Sequence, residues 1–333
     1  MHDKHARTID YLRISLTDRC NLRCVYCMPE EGVPSLCRDQ ILRMEEFARA
    51  ARVAAEMGVK HVRLTGGEPL VRKGTAQLAA DIRQIPGIES VAITTNATLL
   101  AQQAQALKNA GIDRVNISLD TLDANQFRQI TRRGNLEDAL AGIEAAHRVG
   151  FDPIKINVVA VRRLKQDFAG FARLTMERPI HVRFIEYMPI GHSVEEGGCG
   201  WGPEDVIPTA ELIESINQAS LEAGLGSLVP AGDDRPDGWG PARYYKLEGA
   251  QGTIGFISSV SNHFCSRCNR MRLTADGRIR PCLFGDEEFD VREALRNGTD
   301  EDVRRVLEQA LAHKPESHHH RIGTARMMNQ VGG

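Results

Sequence analysis

Residues 11–27 read Tyr-Leu-Arg-Ile-Ser-Leu-Thr-Asp-Arg-Cys-Asn-Leu-Arg-Cys-Val-Tyr-Cys. The first part, Tyr11–Thr17, predicts a β-strand, so the cysteines lie on the loop that leaves its carboxyl end. This first cysteine group consists of Cys20, Cys24 and Cys27, with three and then two residues between them. A closed tetrahedral zinc site needs four ligands, and no histidine lies nearby to supply the fourth. Three thiolates can instead hold a 4Fe–4S cluster that keeps an open position on one iron.

From this loop onward, segments typical of strands alternate with segments of helical periodicity. Helices are predicted over Met44–Met57, Thr75–Gln84, Leu99–Ala110, Leu136–Val149 and Phe168–Met176. Strands are predicted over His61–Thr65, Val91–Thr95, Val115–Leu119, Ile154–Val161 and His181–Tyr187. Such alternation indicates an α/β protein whose parallel strands are joined by right-handed crossovers.

Polar residues occupy the same phase in five of these strands, although a parallel strand covered on both faces is normally apolar throughout. They are Arg13, Ser15 and Thr17; Arg63 and Thr65; Ala92, Thr94 and Asn96; Asn116, Ser118 and Asp120; and Lys155 and Asn157. We expect these side chains to share the inner face of a curved sheet. The alternative is that some lie on edge strands and face solvent. A shared inner face would be a polar chamber with several cations, suited to an anionic ligand.

A second cysteine group, Cys265, Cys268 and Cys282, lies in the last third of the chain. Two residues separate its first pair, and 13 residues separate Cys268 from Cys282. Three thiols again leave a vacancy if the bound group is a 4Fe–4S cluster. His263 is close enough to complete a closed site with three cysteines and one histidine, so a structural zinc ion is the alternative.

Bulk properties restrict the class of protein. At 333 residues the chain exceeds the usual size of one hydrophobic core, and we expect domains over 1–230 and 231–333. A formal net charge of −2 gives no electrostatic basis for nucleic-acid binding. We expect no membrane span and no signal peptide, and therefore a cytoplasmic location in which clustered thiols bind metal. Cys37 and Cys199 stand apart from the clusters and are interpreted as incidental thiols.

The remainder of the chain is less regular. Residues 191–240 are rich in glycine, proline and acidic residues, and they predict a connection that contains one helix, Thr209–Ala223. Short antiparallel strands are predicted within 243–260. Two helices follow the second cysteine group, over Val291–Arg296 and Asp300–His313.

Two motifs together carry a family resemblance. The Cys-x3-Cys-x2-Cys loop after the first strand, followed by Gly66-Gly67-Glu68-Pro69 after the second, resembles the radical S-adenosylmethionine (SAM) superfamily. The resemblance implies a partial (βα)6 TIM-like barrel and a 4Fe–4S cluster whose free iron binds the methionyl amine and carboxylate of SAM. It further implies that reduction yields a 5′-deoxyadenosyl radical. Glycines in the second motif let backbone groups come close to a ligand.

The second cysteine group narrows the resemblance. Asn269-Arg270-Met271-Arg272, Leu283-Phe284-Gly285 and the final Gly332-Gly333 are similar to the GTP 3′,8-cyclase family over essentially the whole chain. This implies a smaller α+β domain that holds a second 4Fe–4S cluster facing the guanine of GTP. The implied reaction removes hydrogen from ribose C3′ and joins C3′ to C8, the first step of molybdenum cofactor biosynthesis. A peptide-modifying radical enzyme and a non-catalytic zinc module are the alternatives.

The resemblance also implies roles for individual residues. Contacts to SAM are implied for Tyr26, Gly67, Ser118 and Met188. Contacts to GTP are implied for Arg13, Arg63, Thr94, Lys155, Arg270, Met271 and Arg272. Catalytic roles are implied for Arg270, Arg272, Gly332 and Gly333, and we expect the two glycines to insert into the chamber. The implied partners are cyclic pyranopterin monophosphate synthase downstream and a flavodoxin- or ferredoxin-type reductant, with homodimer formation left open.

Overall fold

The computed structural model describes residues 1–34, 36–191, 200–318 and 324–332. Cys199 and Gly333 lie outside these described residues. The strands are β1 Tyr11–Ser15, β2 His61–Thr65, β3 Ser90–Thr95, β4 Arg114–Ser118, β5 Ile154–Ala160, β6 Ile180–Glu186, β7 Val229–Pro230, β8 Arg243–Lys246, β9 Ile254–Ile257, β10 Arg270–Leu273, β11 Arg278–Arg280 and β12 Phe289–Asp290. The helices are α1 Met44–Glu56, α2 Thr75–Arg83, α3 Leu100–Asn109, α4 Ala124–Thr131, α5 Leu136–Arg148, α6 Phe168–Glu177, α7 Thr209–Glu222, α8 Arg292–Arg296, α9 Asp300–Ala312 and α10 Met328–Val331.

The six strands β1 to β6 lie side by side in chain order, and each neighbouring pair is parallel. Helices separate them along the chain, as right-handed crossovers require. The α/β class and the partial barrel are therefore confirmed. In β1 and β2, Arg13 lies directly opposite Arg63, so the predicted common phase of the polar residues holds at the level of register.

The core lies on the other face of these strands. Ile14, Leu64, Ile93, Ile117 and Ile156 alternate with the polar residues and are completely buried in the main hydrophobic cluster. Helices α1, α2, α3 and α5 contribute their apolar stripes to the same cluster. Burying each of these side chains contributes about 1.5–3 kcal/mol. This packing fixes the strand register, because a one-residue slip would turn the arginines into the core.

The C-terminal part of the chain extends both edges of the sheet. Strand β9 pairs parallel with β6, whereas β10 pairs parallel with β1. The residues between β9 and β10 therefore pass from one edge of the six-stranded region to the other, and they include Cys265 and Cys268. Antiparallel strands complete each edge, β7 and β8 beside β9, and β11 and β12 beside β10.

The predicted boundary between residues 230 and 231 stays a prediction, and β7 ends at that position. The sequence analysis missed several short elements, among them β11, β12, α10 and the eight-residue helix α4. The N-cap of α4 is Asp123, whose side chain accepts a hydrogen bond from the amide of Gln126 at 2.7 Å. Among the described residues, no helix combines the length and the apolar character needed to cross a membrane.

Candidate active site

Both cysteine groups line a single cavity of about 300 Å³. The first group lies on the loop after β1, and the second lies on the crossing segment and after β11. Because β10 pairs parallel with β1, the first group lies beyond the carboxyl ends of these strands and the second beyond their amino ends, and the cavity extends between them. Two thiol groups far apart in sequence therefore face the same space.

The first cysteine group is held by local backbone contacts. The amide of Cys27 donates to the carbonyl of Cys24 at 2.9 Å, and Arg23 Nη1 donates to the carbonyl of Cys20 at 2.6 Å. Burial raises the pKa of Cys20 to about 11 and raises that of Cys24 well above its usual value. The buried thiols therefore favour the protonated form until a metal displaces the protons.

The glycine-rich loop after β2 lies against the first cysteine group. The amide of Gly67 donates to the carbonyl of Thr17 at 2.6 Å, and a Cβ atom at Gly67 would lie 2.4 Å from the carbonyl oxygen of Arg19. Only glycine permits this close approach. Glu68 follows, almost completely buried, and its carboxylate accepts from the amides of Leu70 at 3.0 Å and Asn96 at 2.7 Å. Burial raises the pKa of Glu68 to about 7.

Residues predicted to contact SAM lie around the same side of the cavity. Tyr26 Oη donates to Asp120 Oδ2 at 2.5 Å, and Asp120 Oδ1 accepts from the amide of Val159 at 2.8 Å. Burial raises the pKa of Asp120 to about 6. Ser118 and Met188 also line the cavity, as does Gly67. The structure thus brings the four predicted SAM residues to one cavity.

The opposite part of the cavity is strongly cationic. Its arginine group consists of Arg63, Arg183, Arg270 and Arg272, and Arg13 lines the cavity beside them. In the part of the chain that the structure describes, no member of the arginine group forms an ion pair with a carboxylate. Burial, together with the charges of neighbouring arginines, lowers the pKa of Arg63 and of Arg272 to about 10. Buried cations without counter-charges favour the binding of a polyanion.

Three predicted GTP residues differ in their placement. The hydroxyl of Thr94 accepts from Arg63 Nη1 at 3.5 Å and lines the cavity. Lys155 does not line the cavity; it is the second residue of β5, and its Nζ donates to the carbonyl of Asp237. The side chain of Met271 is completely buried in the hydrophobic core and does not line the cavity. Any role of Met271 in nucleotide binding would therefore fall to its backbone.

The tail reaches the cavity wall. Gly332 has a φ of +72°, and its carbonyl accepts from Arg272 Nη1 at 2.6 Å. A Cβ atom there would lie 2.8 Å from Thr65 Cγ2. Asn329 Nδ2 donates to the carbonyl of Asp18 at 2.7 Å and fastens the tail behind the first cysteine group. Gly333, the second glycine of the prediction, lies outside the described residues.

The second cysteine group has a different electrostatic surrounding. The amide of Cys268 donates to the carbonyl of Cys265 at 3.1 Å in a short turn. Burial raises the pKa of Cys268, but the ammonium of Lys314 and the guanidinium of Arg270 outweigh it and leave that pKa below its usual value. Burial raises the pKa of Cys265, so the lowered thiol pKa is a property of Cys268 and not of the whole group.

The zinc alternative has one structural counterpart. Ligand atoms of His263, Cys265 and His318 lie within 4.8 Å of one another. All three residues line the same cavity as the two cysteine groups, so the zinc alternative stays open for the second group.

Sequence reasoning missed Arg183 as a member of the site. The signal was present, because His181 and Arg183 continue on β6 the alternation seen in the five preceding strands. In the sheet, Arg183 lies opposite Asn157 of β5, and its Nη2 donates to Asn116 Oδ1 at 2.5 Å. Glu68 and Asp120 were visible in the sequence, but their burial and bonding were not.

Comparison with known proteins gives the family. Residues 14–174 match the Radical SAM superfamily, and residues 180–320 match the family described as Molybdenum Cofactor Synthesis C. A Pelotomaculum thermopropionicum protein named GTP 3′,8-cyclase is 51% identical over 337 residues, which cover 100% of both chains. The chain belongs to the GTP 3′,8-cyclase family of radical SAM enzymes. The Heliobacterium modesticaldum member is 48% identical, again over 100% of both chains.

Solved structures agree at the level of the fold. Streptococcus suis SuiB bound to S-adenosylmethionine matches with a TM-score of 0.57 and 16% identity, covering 90% of this chain and 64% of that one. Membership of the radical SAM superfamily implies one 4Fe–4S cluster and SAM. The donor set fits them, because three cavity-facing thiols leave one iron of a cubane without a protein ligand.

Proposed function

We propose that this chain converts GTP into (8S)-3′,8-cyclo-7,8-dihydroguanosine 5′-triphosphate, using SAM and two 4Fe–4S clusters. The reaction is the first step of molybdenum cofactor biosynthesis. One observation carries the proposal: two three-cysteine groups and an arginine group without carboxylate partners line the same cavity. A triphosphate supplies the missing negative charge, and the two cysteine groups supply two separate open metal positions.

Cys20, Cys24 and Cys27 would hold the first cluster, which would supply the electron for reductive cleavage of SAM. The protein's task there is placement. Gly67 offers its backbone to the methionyl end, while Ser118 and Met188 contact the adenosyl end. Tyr26 is held against Asp120 by a 2.5 Å hydrogen bond, so its ring keeps one orientation towards the adenine. Holding two reactants in fixed geometry is itself a large catalytic effect.

The arginine group binds the triphosphate. Each guanidinium can donate two parallel hydrogen bonds to phosphate oxygens, and Arg13 adds a further cation from the neighbouring strand. Thr94 is already in contact with Arg63 and limits where the ribose can lie. Because these side chains stand on strands rather than on loops, the phosphates have a fixed position relative to SAM.

The second cysteine group would hold the second cluster, which would supply a metal position for the guanine of GTP. Arg272 connects this side to the tail, since its guanidinium both faces the cavity and binds the Gly332 carbonyl. The two family matches together span residues 14–320, which is consistent with a site built from both parts of the chain. A flavodoxin- or ferredoxin-type reductant and cyclic pyranopterin monophosphate synthase remain the proposed partners.

The deciding experiment is anaerobic reconstitution with iron and sulfide, followed by incubation with SAM, dithionite and GTP. We expect 5′-deoxyadenosine and the cyclised nucleotide to form together, detected by liquid chromatography and mass spectrometry. ATP in place of GTP is the matched control, because it carries the same triphosphate with a different base. If 5′-deoxyadenosine formation does not depend on GTP, the substrate assignment is rejected.

A further inference from the structure

Lys314 follows helix α9 and is 2% exposed. Its ammonium makes three contacts. Nζ donates to the carbonyl of Arg270 and to the carbonyl of Pro281, each at 2.7 Å, and to Cys268 Sγ at 3.6 Å. An ammonium has three donors, so these contacts use all of them. The lysine is thus fully bonded, and one of its partners is a ligand sulfur of the second cysteine group.

The charge of this ammonium needs a counter-charge. Burying a cation is costly unless an anion lies beside it, and two of the three partners are neutral carbonyls. In the described ranges, Lys314 forms no ion pair with a carboxylate. The remaining partner is Cys268, which carries negative charge as a thiolate when it binds a metal. The lysine and the ligand therefore compensate each other.

The three contacts also connect separate pieces of the chain. Cys268 and Arg270 flank the start of β10, Pro281 immediately precedes Cys282, and Lys314 itself follows α9. The second cysteine group comes from two segments that the sequence separates by 13 residues. One ammonium therefore fastens both segments at the positions next to their cysteines.

The sulfur of Cys20, in the first cysteine group, has different neighbours. It accepts from the neutral donors Leu22 N at 3.4 Å and Asn96 Nδ2 at 3.8 Å. Glu68 and Asp120, both carboxyls, are buried nearby. Net charge and hydrogen bonds to sulfur are two of the factors that set the reduction potential of an iron–sulfur cluster. The two sites therefore differ in both factors.

We propose that Lys314 is the positioning and charge-compensating residue of the second cluster site, where it fastens both ligand segments and raises the reduction potential of the cluster. A reduced cluster carries one more negative charge than its oxidised form, and a buried ammonium beside a ligand sulfur stabilises that charge. This inference rests on the second cluster of the proposed function. It concerns the potential of that cluster and not the identity of the substrate.

The test is a redox titration of the full-length reconstituted protein, followed by electron paramagnetic resonance. The first cluster serves as an internal reference. We expect Lys314→Met to move the midpoint of the second cluster to a more negative value by at least about 59 mV, a tenfold change for one electron. The first cluster should keep its midpoint, and Lys314→Arg, which keeps the charge, should restore most of the shift.

Lys4→Met is the matched control, because Lys4 is an exposed lysine that lines an outer cavity beside Cys282. Equal shifts in Lys4→Met and Lys314→Met would show a general charge effect and overturn the proposal. An unmoved midpoint in Lys314→Met, or equal shifts of both clusters, would overturn it as well. If Lys314→Met loses only the iron of the second cluster, the fastening role is supported. The effect of charge is then decided by comparing the midpoint of the second cluster in Lys314→Gln with that in Lys314→Arg.

The outcome is separable from that of the proposed function. A wild-type protein that binds the iron of only one cluster would refute the second cluster itself. A wild-type protein with both clusters, in which neither Lys314→Met nor Lys314→Gln changes the second midpoint, would refute only the role of the lysine. Neither measurement requires GTP or turnover.

Discussion

Arg272 of β10 and Gly332 of the tail are joined by a 2.6 Å hydrogen bond from the guanidinium to the glycine carbonyl. The bond places the tail against β1, because β10 pairs with β1 and Arg272 lies opposite Arg13. One arginine thus contacts the tail and lines the cavity in which we propose that the triphosphate binds.

Gly332→Ala should lower the rate of cyclisation at least tenfold while SAM binding persists. The backbone at Gly332 is left-handed, which costs about 1–2 kcal/mol for alanine, and the new Cβ would approach Thr65 Cγ2 at 2.8 Å. The control is Gly224→Ala, because Gly224 has a φ of +71° and no atom within 4 Å of the added Cβ. Turnover numbers for both variants decide the matter, and an equal loss in the two would contradict a specific role of the tail.

Loss of a cysteine should affect the reaction products differently in the two cysteine groups. Cys24→Ala should abolish 5′-deoxyadenosine, because the first cluster is needed to cleave SAM. Cys282→Ala should retain some SAM cleavage but form no cyclised nucleotide, since the guanine loses its metal partner. Cys37→Ala is the control, because Cys37 is exposed and does not line the cavity. Iron content and both products are measured together, and identical behaviour of the first two variants would contradict separate roles.

Removal of one arginine should weaken GTP binding without preventing SAM cleavage. A hydrogen bond to a charged group contributes about 1.5–3 kcal/mol, so Arg63→Met should raise the KM for GTP by roughly tenfold to a hundredfold. Arg52→Met is the matched control, because Arg52 is half-exposed and pairs with Asp300 on the surface. Steady-state kinetics at fixed SAM test this, and a pure fall in kcat with unchanged KM would argue against phosphate binding.

GTP affinity should depend on pH through Lys155. Burial, together with the charges of Arg183 and Arg114, lowers the pKa of this lysine to about 7. An anion binds the protonated form, and that form is lost as pH rises through 7. Affinity should therefore fall between pH 7 and 9, by up to about tenfold per pH unit. The Lys155→Arg variant stays charged, so its affinity for GTP should depend less on pH. Equilibrium binding of GTP to the wild-type protein and the variant at several pH values measures this. Parallel profiles would contradict the assignment.

Trp239 is expected to hold the segment that contacts Lys155. Its ring stacks on His61 with centroids 3.6 Å apart and lies 4.1 Å from the guanidinium of Arg114. Trp239→Ala should release the Asp237 carbonyl from Lys155 and change the KM for GTP several-fold, with kcat largely retained. Trp201→Ala is the control, because Trp201 makes a 4.1 Å contact of the same kind with Arg163. A fall in kcat alone would exclude this role.

The local pattern of apolar and polar residues was sufficient to predict the main strands and helices of the fold. The predicted strand His61–Thr65 has the observed bounds, and the other five parallel strands agree within one or two residues at each end. Alternation also predicted which face of these strands is polar, since a strand allows only two faces. Helix α4 was missed because its eight residues bury only Phe127, Ile130 and Thr131, too short a pattern to show a helical period.

Contacts between distant segments could not be read from local pattern. Nothing near Lys314 in the sequence indicates that its ammonium meets Cys268, 46 positions away. Trp239 likewise reaches His61 only because both lie at the amino ends of the strands. Met271 gives the opposite lesson, because alternation with Arg270 and Arg272 places its side chain in the core, whereas the family resemblance alone suggested a nucleotide contact.

The crossing segment between β9 and β10 has a consequence for synthesis on the ribosome. A nascent chain that has reached only residue 250 contains β1 to β6 and the first cysteine group, but it lacks the strands that flank both edges. Its first metal-binding loop would still be open to an iron–sulfur donor. Cysteines 265, 268 and 282 emerge later and bring the far wall of the cavity with them. The order of translation would therefore expose the first cysteine group to metal before the second group has been made.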